Sequence, residues 1–192
     1  MLRHFVFFIL FLCFSCPAWA NHFETSLERC AEIRNEVEAI LEEEGVSRDF
    51  YFLALAESGC RLGASSKKGA AGLWQLSKWT ARRYGLRVDQ DVDERFDWRL
   101  ATHAAAKYLA HLQHTFHDFR WTVAAYNTGG SNLVKKTGFK PKMSFDIVKS
   151  VAKPAWSLAV TVDRWRKLDA KKRKAECLSS QNTINRVAKN NK

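Results

Sequence analysis

FYFLALAESGCRLGASSKKGAAGLWQL, residues 50–76, joins an apolar run to a loop rich in glycine. Phe50 to Ala56 are seven apolar residues in succession, which suits a helix buried on every side. The run ends on one carboxylate, Glu57, and Ser58 and Gly59 follow at once. Burial disfavours the charged form of a carboxyl group, and the negative end of a helix disfavours it further. The pKa of Glu57 is therefore expected above the ordinary range. A carboxylic acid still protonated near neutral pH can serve as a general acid. A Glu that simply leaves the helix and lies in water is the competing reading, and the helix pattern alone does not separate the two.

Gly59, Gly63, Gly69 and Gly72 make the next stretch a loop of tight turns, where backbone can approach a ligand closely. It closes on Leu73-Trp74-Gln75-Leu76, an apolar run holding one amide. Three features now stand in order: Glu57-Ser58, the segment Ser66-x-x-Gly69-Ala70-x-Gly72-Leu73-x-Gln75, and Ala125-Tyr126-Asn127-x-Gly129. On these motifs the chain resembles the lytic transglycosylases of the soluble-lytic-transglycosylase type, relatives of goose-type lysozyme. The resemblance covers about residues 48–134 and implies an all-α, compact lysozyme-like helical domain. It departs from the common pattern at Lys67, Trp74 and Ser77-Lys78.

The resemblance also implies a reaction. A single Glu, here Glu57, protonates the glycosidic oxygen between N-acetylmuramic acid and N-acetylglucosamine. Once ionised, it takes a proton from the C6 hydroxyl of the muramoyl unit. That hydroxyl closes on C1 and leaves a 1,6-anhydro end without consuming water. By the same matching, Tyr126 hydrogen-bonds and orients Glu57, Ser66 and Gln75 hold the sugar beside the cleaved bond, and Asn127 supports the cleft wall. No metal and no cofactor is implied. The expected partner is the glycan strand of peptidoglycan, and no protein partner is indicated.

The residues themselves agree with a lone acid. Most glycosidases use two carboxylates. From Ser58 to Val88 this chain has no acidic residue, and the acids from Asp89 to Asp97 cluster in what reads as a structural, capping turn. One acid without a partner suits substrate-assisted cleavage. A hydrolytic lysozyme would need a second carboxylate, Asp89 or Asp91 being the candidates. A non-catalytic wall-binding protein would have no need of both Glu57 and Tyr126. Asp89, Asp91 and Asp93 alternate as in a calcium loop, but Glu94 stands where that loop needs glycine and Leu100 where it needs a bidentate Glu. The histidines His103, His111, His114 and His117 lack metal-ligand spacing and read as surface or capping residues.

Residues 1–20 read as a secretory signal peptide. Arg3 supplies a basic start, Phe5 to Phe14 an apolar run, and Ala18-Trp19-Ala20 a cleavage site. The expected product is exported to the periplasm or cell envelope, with a catalytic domain over 21–170 and a basic, flexible tail over 171–192. The formal charge is +11, and ten basic against three acidic residues fall between Asp163 and Lys192. Such a surface favours polyanions. An exported protein meets envelope polymers before nucleic acid, so peripheral envelope association is expected and nucleic-acid binding is not.

Thr25 and Glu28 form a capping box for a helix that Gly45 ends, and Ser47 caps the helix carrying Glu57. The short turn between the two implies an antiparallel hairpin. Cys30 lies sixteen residues before Val46 and Cys60 fourteen after it, so both fall near one end of that hairpin. Spacing does not fix the pairing, but the hairpin favours Cys30–Cys60 and leaves Cys177 free. Further on, Ser77 caps a short helix that Gly85 stops. Asp97 caps a long Ala-rich helix over 98–115, with Leu100, Ala104, Tyr108 and Leu112 on one side. A short helix over 121–126 is expected to break at Asn127-Thr128-Gly129-Gly130, and another to run from Pro154 to Leu168, packed by Trp156 and Trp165.

Overall fold

The computed structural model describes residues 25–138 and 153–190, with side chains described as far as 181. Residues 1–20, expected to be a signal peptide, and Phe145-Asp146-Ile147-Val148 lie outside the described residues. We number the helices α1 (25–30), α2 (Arg34–Glu43), α3 (Tyr51–Ser58), α4 (Lys78–Arg83), α5 (Trp98–Phe116), α6 (Phe119–Thr128), α7 (Gly130–Thr137) and α8 (Lys153–Asn190). Short 3₁₀ turns precede α3 and α5, at Arg48–Phe50 and Glu94–Phe96. Strand character among the described residues is limited to isolated bridges such as Ser65 to Ala71 and Ala71 to Leu76.

α3 is the axis of the domain. Tyr51 through Leu55 are buried in succession, because α2 and α8 pack on it. Ser47 accepts from the Asp49 amide and starts the turn into α3; Gly59, at φ +58°, ends it with its amide on the Leu55 carbonyl. The hairpin with α2 is held by a Cys30–Cys60 disulfide with Cα atoms 5.6 Å apart. Cys177 is exposed and free.

Several expected boundaries moved. The helix expected from Thr25 to Gly45 is interrupted by a turn at 31–33, although nothing in the propensities of Ala31-Glu32-Ile33 marks it. Along α5 Ala101, Ala104, Ala105, Leu109, Leu112 and Phe116 are buried; of the face drawn from the sequence Ala104 and Leu112 are buried, whereas Leu100 is 42% exposed. α6 continues through Asn127 and Thr128 and yields only at Gly129, at φ +85°. A single glycine suffices to end it, and α7 starts at the very next residue. α8 packs chiefly on α6, burying Ala155, Ala159, Val162 and Trp165. It runs on to Asn190, and the expected boundary at 170/171 falls inside it. A chain of ion pairs docks this helix: Asp169 accepts from Arg34 of α2 and pairs with Arg173, while Arg166 reaches Asp49.

Candidate active site

Glu57 occupies the last turn of α3, half-buried, and burial pushes its carboxyl up to about 7. A hydrogen bond from Asn127 pulls the other way, favouring the ionised form, but burial wins. The helix end contributes less than its position suggests. Arg61 Nε donates to the Ser58 carbonyl at 3.0 Å, and Arg29 donates to the Gly59 carbonyl. Two cations thus cover the negative pole that would otherwise repel the carboxylate.

The glycine-rich loop is clipped from beneath by one buried residue. Arg95, 4% exposed, donates to the carbonyls of Gly69 at 2.7 Å and Leu76 at 3.0 Å, and Asp93 holds its far side at 2.6 and 2.8 Å. Gly72, at φ +76°, passes directly over the Arg95 backbone, and a Cβ there would collide with that carbonyl oxygen. Trp74, fully buried, donates its indole N–H to Thr102 at 2.9 Å and so pins the loop to α5. The departure at Trp74 therefore belongs to the core and not to the cleft.

Beside this loop lies an open groove of about 770 Å³, walled by the loop, α4, α5 and the α6–α7 junction. Gln75, Tyr126 and Asn127 line it. Gln75 adopts φ +48°, and its amide nitrogen donates to Gly72 and Ala64 carbonyls at 2.9 and 3.2 Å, which leaves the side-chain oxygen for other partners. Ser66 is exposed on the loop, where its hydroxyl oxygen accepts from the Ala70 amide at 3.0 Å; neither it nor Glu57 is among the groove's lining residues. Glu57 meets the groove through Asn127.

The Tyr126 hydroxyl, expected on Glu57, donates instead to the Trp74 carbonyl at 2.8 Å. It is near enough to the carboxylate for Glu57 to add to the rise that burial imposes on the phenol pKa. The contact expected of Tyr126 is made by Asn127, because α6 continues past Tyr126 through Asn127 and Thr128 and brings the Asn127 side chain to Glu57.

Other groove residues carried no motif. Tyr84, Tyr108 and Tyr126 form a ladder with ring centres 5.2 Å apart at each step. Trp79, Arg83 and His111 also line the walls. In the sequence Trp79 stands within the basic run Lys78-Trp79-Thr80-Ala81-Arg82-Arg83, a pattern that does not show which way the indole faces. Asp89, a candidate second carboxylate, is spent on its own turn. It accepts from Arg87 and from the Asp91 and Val92 amides, and these bonds, Arg87 first, hold it at about 2. Neither Asp89 nor Asp91 lines the groove.

The arrangement of helices packed around α3 is a compact lysozyme-like fold. The chain belongs to the Transglycosylase SLT domain family, whose model matches residues 36–147. It is 36% identical over 88 residues to membrane-bound lytic murein transglycosylase D of Escherichia coli, a match covering 45% of this chain and 20% of that protein. It is 42% identical over 92 residues to the peptidoglycan transglycosylase gp16 of Escherichia phage T7, covering 46% of this chain and 7% of the relative. The structure of an inactive mutant of lytic transglycosylase Slt from Pseudomonas aeruginosa superposes with a TM-score of 0.61 at 20% identity. That match covers 74% of this chain and 24% of the other. The matched region thus spans a fifth or less of the curated relatives' length.

Proposed function

We propose that this chain is a peptidoglycan lytic transglycosylase that cleaves the bond between N-acetylmuramic acid and N-acetylglucosamine and leaves 1,6-anhydro ends. The observation that carries the reading is Glu57: a carboxyl poised at about 7, beside a groove with no Asp or Glu among its lining residues. At that pKa the group is present in both forms near neutrality, as a residue must be that first gives a proton and then takes one. Protonated Glu57 gives its proton to the glycosidic oxygen as the bond to C1 breaks. Ionised Glu57, steadied by the Asn127 amide, then removes the proton of the C6 hydroxyl as that oxygen bonds to C1. Protons and bonds balance without water, and the acid is restored.

Ser66, with its hydroxyl hydrogen available to donate, and the Gln75 side-chain oxygen are assigned to the sugar next to the cleaved bond. Tyr126 acts as a positioning residue, because its hydrogen bond fixes the loop at Trp74. Export to the cell envelope follows from the N-terminal signal segment, and the name of the E. coli relative agrees with that compartment. Purified sacculi digested by the protein and by its Glu57→Gln variant test the assignment. Loss of at least about a hundredfold in turnover is expected for removal of a general acid–base group, and near-normal turnover by the folded variant would refute it.

A further inference from the structure

Trp79 is 68% exposed, the largest value among the exposed large apolar side chains of the described residues. Its helix does not require it: α4 is capped by Ser77 and buries Ala81. The Arg83 guanidinium lies over the indole, 5.3 Å from the ring centre, and Lys68 of the glycine-rich loop lines the same groove. Among the described residues no carboxylate pairs with Lys68 or Arg83, and the groove lining contains no Asp or Glu. An open indole offers the apolar face of a pyranose ring a surface to stack on, and two uncompensated cations at a concave wall attract carboxylates.

We propose that Trp79, Arg83 and Lys68 form a subsite for a sugar that carries an anionic substituent. The ring lies against Trp79, and its carboxylate meets Arg83 and Lys68. The groove thereby distinguishes anionic glycan from a neutral glycan of the same backbone. This rests on the glycan-cleaving reading above and assigns the specificity of that groove. The carboxylate has two sources in peptidoglycan, the lactyl group of a bare muramoyl unit and the stem peptide of a substituted one.

The test is titration calorimetry on the Glu57→Gln protein, so that ligand is not consumed. Three tetrasaccharides serve as probes: peptide-bearing muramoyl glycan, the same glycan without peptide, and chitotetraose. At low salt the better anionic probe is expected to bind about tenfold more tightly than chitotetraose, with the advantage shrinking as salt rises. The identity of that better probe names the carboxylate. Adding Lys68→Gln and Arg83→Gln should bring it to the chitotetraose level without changing chitotetraose itself, whereas Trp79→Ala should weaken all three. All three side chains are exposed, and thermal melts confirm that the variants fold. Equal binding of the three probes by the Glu57→Gln protein, or an anionic advantage that survives loss of both cations, would overturn the subsite. Since binding is read without turnover, inactivity of the wild type on sacculi would sink the proposed reaction and leave this result intact.

Discussion

In the proposed reaction Glu57 moves the protons, the Asn127 amide steadies its carboxylate, and Tyr126 holds the loop at Trp74. The carboxyl is raised from 4.5 to about 7, chiefly by burial, so the folded protein binds its proton more tightly than the unfolded chain does. The sign follows: its contribution to stability is fully present below about pH 4.5 and is lost as pH rises through about 7. Ionised Glu57 then costs the fold up to roughly 3 kcal/mol, at about 1.4 kcal/mol per pKa unit. Glu57→Gln should therefore melt above wild type at pH 8 and lose that advantage towards pH 5, while remaining inactive at both. A parallel melting difference at the two values would show that the carboxyl is not desolvated. Asn127 and Tyr126 are separable by the same logic. Asn127→Ala removes a donor to the ionised carboxylate and should move the corresponding limb of the activity–pH profile upward by up to about one unit. Tyr126→Phe strips the Trp74 carbonyl of its donor and should cost about 1–3 kcal/mol in urea unfolding, with the limb in place. The reverse pattern would return the orienting role to Tyr126.

At the scale of the element, the loop from Gly59 to Leu76 is shaped by what lies under it. Gly72→Ala demands both a left-handed backbone and space that the Arg95 carbonyl occupies, so it should destabilise by about 2–5 kcal/mol, measurable by denaturant unfolding. Gly69, with nothing near its Cβ position, should tolerate alanine better despite φ +80°. Comparable losses at the two glycines would contradict the close approach. Much of this region was legible: a continuous apolar run suits a helix buried on every side, Glu57 ends it, and Ser47, Ser77 and Asp97 cap where hydroxyl or carboxylate oxygens can reach free amides. What stayed hidden depended on contacts remote in the chain. Leu100 sits on the helical stripe, yet it is 42% exposed; Asn127 reads as a helix breaker, yet α6 carries it one residue past Tyr126 to Glu57. Trp79 shows the same limit, since no pattern within α4 tells a core indole from one facing a groove.

Over the whole molecule, two long-range ties hold the helices around α3. The disulfide closes a separation of 30 residues, for which loop entropy predicts a stabilisation of roughly 3–4 kcal/mol. Cys30→Ser with Cys60→Ser should lower the urea midpoint accordingly, and an unchanged midpoint would mean that packing of α2 on α3 alone sets the hairpin. The second tie is the ion-pair chain through Arg34, Asp169 and Arg173, which fastens α8 to α2. Under the proposed reaction a single acid performs both proton transfers, and the fate of water distinguishes this from the two-carboxylate alternatives. The most direct measurement is mass spectrometry of muropeptides released from purified peptidoglycan digested in ¹⁸O-labelled water. The account predicts 1,6-anhydromuramoyl ends that carry no label. Reducing ends bearing ¹⁸O would show that water attacks C1, and the single-carboxylate mechanism would fall.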